Sequence, residues 1–333
     1  MSKKFILLLF LVSVLLSCHR PGREDVLVFA FGSCNHQDEK QPMWDEIINQ
    51  DPDVWIWLGD NIYGDSHDPK VLKDKYNRQK ENKDYRKLMS RAQILATWDD
   101  HDYGINDGGR HFSSKEASQE AFLDFIEAPD DDPRRYRPGV YSSEIIKKGD
   151  LTVKIILLDA RYFRDTTIRV DGKYVPNDTG DILGEAQWNW LSKELDQSTA
   201  DIHLIGSGIQ VLAKDHRYEK WANFPSARKR LIEMIATSGV NGTILLSGDR
   251  HLAEVSEVQV RDISYPLRDV TSSGLTHSYE EVGEEPNSLR VSPLISSKNF
   301  GLLRITKNNR DTEVILEIKG IDDQVFYTTD WMY

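Results

Sequence analysis

Four short segments of this chain carry side chains that bind metals: Ser33-Cys34-Asn35, Asp60-Asn61-Ile62-Tyr63, Asp99-Asp100-His101-Asp102 and Asp249-Arg250-His251. Each follows an apolar run of strand character, so each marks a point where a strand gives way to a loop. In open sheets the loops at the carboxyl ends of strands converge on the ligand site, which would gather all four segments into one cleft. Carboxylates brought together there repel one another unless cations neutralise them. Asp60, Asp99, Asp100 and Asp249, with His101 and His251, therefore read as a metal site rather than as four solvated turns. An EF-hand is excluded, because counting from Asp100 puts Gly104 where that loop needs a ligand.

The donor types narrow the metal. Thiolate from Cys34 and phenolate from Tyr63 join carboxylate and imidazole, and a phenol of ordinary pKa about 10 binds as its anion only to a strong Lewis acid such as Fe3+. The oxygen donors of Asp99 and Asp100 suit a harder divalent ion, Ca2+ or Mg2+. A serine esterase built on Ser33 with His216 or His277 leaves these groups idle, and no Gly-x-Ser-x-Gly elbow surrounds Ser33. Arg161 and Arg164 are candidates for bidentate contact with phosphate, against a structural alternative in which they brace a strand end by pairing with Asp159 or Asp165. Gln210, past another strand, is a weaker candidate for the pocket wall.

Positioning these residues requires alternating strands and helices. Strands are expected at 26–31, 54–58, 93–98, 151–158, 202–207 and 243–247, with helices at 42–49, 114–126, 184–196 and 226–238 from apolar spacing. The charged stretch 69–91 reads as a surface helix. Beyond Ser247 the pattern turns strand-rich (255–260, 267–271, 300–305, 314–319, 325–328), which predicts a second sheet made from the C-terminal third. No Ser/Pro/Gly-rich linker divides the chain, so residues 26–333 are expected to form one α/β domain.

The 333 residues hold 42 Lys and Arg against 54 Asp and Glu, a net charge of −12, and 39% are hydrophobic. That balance excludes disorder and argues against binding nucleic acid, which needs clustered cations. Lys3 and Lys4 precede an apolar run from Phe5 to Leu16, too short to span a bilayer and of signal-peptide length. It ends Leu15-Leu16-Ser17-Cys18, which resembles a bacterial lipobox. The expectation is a signal peptide at 1–17, lipid on Cys18, a linker at 18–25, and an exported protein held to a membrane. Cys34 is then unpaired in an oxidising compartment, which calls for burial or a metal.

The motifs Phe31-Gly32-Ser33-Cys34-Asn35, Leu58-Gly59-Asp60-Asn61-Ile62-Tyr63, Thr97-Trp98-Asp99-Asp100-His101-Asp102 and Ser247-Gly248-Asp249-Arg250-His251 resemble, in order, those of the alkaline phosphatase D (PhoD-like) branch of the calcineurin-like metallophosphoesterases. Leu158 to Arg164, Leu183-Gly184 and Thr271 to His277 look similar too. The resemblance implies a four-layer αββα sandwich of two mixed sheets flanked by helices, and hydrolysis of phosphate esters by a metal-activated hydroxide. It implies Fe3+ on Cys34, Asp60 and Tyr63, with Asp249 and His251 completing the centre. Asp99 and Asp100 become ligands of a second, Ca2+ site. Asp100 and His101 are the expected catalytic pair, His101 at the phosphoryl group or leaving oxygen, while Asn61, Arg161 and Arg164 contact substrate. The Asp-x-His opening common in the wider superfamily is absent, replaced by Ser33-Cys34-Asn35. A rival reading is a calcium-stabilised surface lipoprotein that binds without turnover, and iron content separates the two.

Overall fold

The computed structural model describes residues 26–279 and 285–333. The expected signal peptide, the lipidated Cys18 and the linker lie outside them. In chain order the strands are β1 (Val26–Gly32), β2 (Val54–Leu58), β3 (Gln93–Thr97), β4 (Ser142–Lys148), β5 (Leu151–Leu157), β6 (Ile168–Val170), β7 (Lys173–Val175), β8 (Ile202–Ser207), β9 (Thr243–Ser247), β10 (Ala253–Val258), β11 (Leu267–Ser272), β12 (Phe300–Asn308), β13 (Asp311–Lys319) and β14 (Val325–Met332). The helices are α1 (Met43–Asn49), α2 (Pro69–Glu81), α3 (Lys83–Met89), α4 (Asp100–Tyr103), α5 (Lys115–Phe125), α6 (Gly184–Asp196) and α7 (Pro225–Thr237).

Two six-stranded mixed sheets form, ordered β14-β13-β12-β1-β2-β3 and β10-β11-β9-β8-β5-β4. The inward face of the first sheet (Phe29, Phe31, Ile56, Leu58) meets that of the second (Ile155, Leu157, Leu204, Leu246) in one core. On the outer face of the first sheet Trp55 and Trp57 pack with Trp44 of α1, Leu72 and Tyr76 of α2, and Phe122 and Phe125 of α5. Ile156, Ile205 and Leu245 on the far side of the second pack with Trp188 and Leu191 of α6 and Leu231 and Ile235 of α7. The layers are therefore αββα. Central strands such as β2 and β9 are buried throughout, as continuous apolar runs covered on both faces must be.

The C-terminal strands do not make a sheet of their own. β10 and β11 extend the sheet containing β9, whereas β12 pairs antiparallel with β1 and carries β13 and β14 to the other sheet's edge. The stretch 69–91 is two helices rather than one, broken at Asn82, whose side chain accepts from the Asp84 and Tyr85 amides and caps α3.

The topology aims the four motifs at one place. β1, β2 and β3 are mutually parallel, and so are β5, β8, β9 and β11. Their carboxyl ends are stitched together, with the Asn35 amide donating to the Asp60 carbonyl at 2.8 Å and the Gly248 amide to the Gly208 carbonyl at 3.1 Å.

Candidate metal centre

Four candidate ligands sit on left-handed backbone: Cys34 (φ 59°), Asp60 (48°), Asp249 (69°) and His251 (52°). This region costs a non-glycine residue about 1 kcal/mol or more, and such residues gather where a site dictates side-chain direction. Here the kinks in the loops that follow β1, β2 and β9 bring these side chains towards one another. Close approach is paid for by glycine: a Cβ on Gly208 would stand 2.3 Å from Asp99 Oδ1, and one on Gly59 (φ +94°) 2.4 Å from Asp99 Cβ.

Cys34, Asp60 and His251 each offer a donor atom within 4.8 Å of the others, and so do Asp60, Asp99, Asp100 and Asp249. Cys34 Sγ lies 3.3 Å from Asp60 Oδ2 and 3.1 Å from Ser273 Oγ, which itself accepts from the His251 amide. The Tyr63 hydroxyl bridges His251 Nε2 (3.0 Å) and His277 Nε2 (2.8 Å), facing the same centre. Asp60 joins both groups, so the two clusters are halves of one site.

Burial decides the electrostatics. It pushes the Cys34 thiol up to about 11, with the nearby Asp249 charge adding to the effect, and raises Tyr63 and Asp60 well above their ordinary ranges. Asp249 is likewise raised by burial, then by Asp99 and Asp100, and Asp99 reaches about 7 by burial despite its Arg161 partner. Burial thus favours the protonated forms of Asp60, Asp99, Asp249, Cys34 and Tyr63, which a cation would displace, whereas Asp100, despite its burial, is held below the usual carboxylate range by Arg161 and His101. The Asp99 Oδ2 atom is buried with no hydrogen-bond partner among the described residues, which leaves its lone pairs available to a cation. The residues present fit a metal centre.

His101 stands at its rim. Its ring packs 4.1 Å from that of Tyr63, and Nδ1 lies 2.7 Å from Asp65 Oδ1. Burial opposes its charge, but Asp60, Asp65 and Asp100 together outweigh it and hold the pKa up at about 10. Asp100 accepts from the His101 amide (3.0 Å) and the Asp107 amide (2.7 Å), fixing α4 beneath the site.

Arg161 and Arg164 are fully buried and do not line the cleft. Arg161 pairs with Asp99 and Glu219 (both 2.6 Å), and Arg164 with Glu219 (3.0 Å). They brace the site from behind, with different partners from those foreseen. Asp159 spends its oxygens on the Trp98 indole and on the Val140, Arg161 and Tyr162 amides, and Asp165 pairs with Arg110. Asn61 is also buried outside the cleft lining, donating to the Thr97 carbonyl at 3.0 Å, and Gln210 donates to Glu254 and Thr271. Among the described residues the Ser33 hydroxyl bonds Cys34 Sγ and the Ser272 carbonyl, and neither His216 nor His277 is among its partners.

Sequence reasoning missed Ser273 and His277 as members of this centre, and Glu219 and Asp65 as supports. Ser273 and His277 lay in a motif already noted; nothing local marked Glu219, which arrives from a loop between β8 and α7.

A model of the PhoD-like phosphatase family matches residues 29–285. The chain belongs to that family. Alkaline phosphatase D of Bacillus subtilis (strain 168) is 24% identical over 284 residues, covering 70% of this chain and 47% of the relative. The chain thus spans about half the length of the curated relative it matches. Among solved structures, that of PhoD superposes with a TM-score of 0.72 at 16% identity, covering 93% of this chain and 70% of the other. A dimetal phosphatase from Danio rerio reaches 0.51 at 12% identity over 91% and 99% of the two chains. At these identities the structural likeness speaks for the fold.

Proposed function

We propose that this PhoD-like protein is a metal-dependent phosphoesterase, with Fe3+ held by Cys34, Asp60, Tyr63, Asp249 and His251 and Ca2+ beside it on Asp99 and Asp100. The observation that carries the reading is the convergence of a buried thiol, phenol, imidazole and carboxylates at the joined ends of parallel strands. When bound, the cations supply a hydroxide nucleophile near neutral pH and offset charge on the phosphoryl oxygens. His101, oriented by Asp65 at the rim of the site, is placed to donate a proton to the departing oxygen. Asp100 anchors His101 through its amide, while Arg161 holds Asp99 in place and keeps its second oxygen free. Assay of metal-analysed protein on chromogenic phosphate mono- and diesters tests this. Turnover of at least one class is expected, and none on either would refute it.

The same reading includes export and a lipid anchor at Cys18. Among the described residues no helix is long and apolar enough to cross a membrane. Cys18→Ala is expected to move active protein from the membrane fraction to the soluble one, since acylation would supply the attachment. Retention of the variant in salt-washed membranes would count against the anchor.

A further inference from the structure

The cleft above the metal centre is larger than phosphate chemistry requires. Its volume is about 430 Å³, with Asp100, His101, Asp249 and His251 on one side. That is the size that encloses a whole small-molecule ligand rather than a lone phosphoryl group. The remaining wall mixes three tyrosines (Tyr218, Tyr279, Tyr174) and three arginines with the acids Asp107 and Glu219, and Asp107 pairs with Arg169.

Its rings are arranged in sequence. His251, a candidate ligand, packs against Tyr279 with centroids 4.8 Å apart. Tyr279 lies nearly parallel to Tyr218, 18° between planes and 6.4 Å between centroids. The guanidinium of Arg250 sits 4.1 Å from the Tyr218 ring centroid and that of Arg217 at 5.0 Å, so Tyr218 is held from its own neighbours. Backbone geometry fixes the ledge as well, since the Tyr279 amide donates to the His251 carbonyl at 3.1 Å. Tyr279 keeps 43% of its surface exposed, which a large aromatic side chain beside a cleft does not need for folding.

We infer that this ledge is a leaving-group subsite, and that the preferred substrates are phosphate esters whose alcohol carries a planar ring stacked on Tyr279. The inference rests on the phosphoesterase reading and goes beyond it by naming the substrate class. Tyrosine faces and guanidinium planes are the surfaces on which planar rings stack, with a contribution that alanine substitution reveals as roughly tenfold or more in affinity. The phosphoryl group meets the metal side while the ring lies along the wall that leads away from His251.

The test is a matched pair of esters, adenosine 5′-monophosphate and ribose 5-phosphate, which share a primary leaving alcohol and differ in the ring. The readout is the ratio of their kcat/KM values on metal-loaded full-length protein. Wild type is expected to favour the nucleotide by about tenfold or more, Tyr279→Phe to keep that ratio, and Tyr279→Ala to bring it towards one, mainly through KM. A role of Tyr279 in merely supporting His251 would slow both esters together and leave the ratio unchanged, which would overturn the inference, as would a wild-type ratio near one. If wild type hydrolyses neither ester, calorimetric binding of the same two compounds decides in its place. A preference for the nucleotide that Tyr279→Ala abolishes sustains the subsite, and equal binding refutes it.

Discussion

Tyr63 and Cys34 are both groups that water leaves protonated at neutral pH, and burial in this protein raises both further. Such donors are costly to keep charged in a dry site, and the ferric ion proposed above would turn both into ligands. Bound together, they should give the purified protein a visible charge-transfer band. Tyr63→Phe preserves the ring against His101 and removes only the oxygen, so it is expected to shift or bleach the band and lower turnover about a hundredfold while thermal unfolding stays close to wild type. Cys34→Ser is expected to lose iron more completely. Absorption spectra and metal analysis check both, and variants that keep the wild-type spectrum would remove these residues from the ligand set. Cys34, Asp60, Tyr63, Asp99, Asp100, Asp249 and His251 were legible in sequence as candidate donors, and the structure gathers them in one place, while His277 was not read. What each arginine does was not, because Arg161 chooses between partners far apart in the chain, and the choice of Asp99 and Glu219 over Asp159 exists only after β5 and β8 have paired.

At the scale of elements, the strands that carry the site were the easiest to read, since β2 is an uninterrupted apolar run, β8 and β9 are largely apolar, and every residue of the three is buried. β4 escaped notice because Ser-Ser-Glu-Ile-Ile-Lys-Lys is half exposed at a sheet edge, where charged residues discourage further pairing. The hairpin β6–β7 was missed because its strands are only three residues each and largely exposed. α4, where no element was expected, is a single helical turn, with Asp102 accepting from the Asp99 amide at 3.2 Å. Allocation of the C-terminal strands to both sheets depends on long-range pairing that local pattern does not encode. The elements also explain a glycine: Gly59 lets the end of β2 pass against Asp99. Gly59→Ala combines a left-handed φ with a 2.4 Å clash, so a loss of about 2 kcal/mol in stability and reduced metal per chain are expected. Denaturant unfolding and metal analysis read the two effects, and an unperturbed variant would mean that Asp99 has room to move.

For the whole molecule, the buried acids tie stability to pH and metal. Asp99 and Asp102, each raised to about 7 by burial, are ordinary carboxyls near 3.9 when unfolded. A group whose folded pKa is raised favours the native state while protonated, so its contribution is complete below the unfolded value and is lost as pH rises through about 7. Between those limits each such group costs the metal-free protein about 1.4 kcal/mol per pH unit. Asp102 lies outside the donor groups and keeps its cost in either state, whereas a cation that displaces the Asp99 proton removes the Asp99 share, so the gap in Tm between metal-loaded and chelated protein is expected to widen from about pH 5 to about pH 8. A constant gap would mean that Asp99 does not answer to the metal.

The central claim, that family fold and donor cluster together make a metal-dependent phosphoesterase, is tested most directly by one sample followed through metal removal. Iron and calcium are quantified in the purified protein, hydrolysis of chromogenic phosphate mono- and diesters is recorded, and both are repeated after exhaustive chelation and after each metal is returned. The account predicts about one iron per chain, turnover abolished by chelation, and recovery when calcium is returned to protein that has kept or regained its iron. Undiminished turnover by protein stripped of all metal would contradict it.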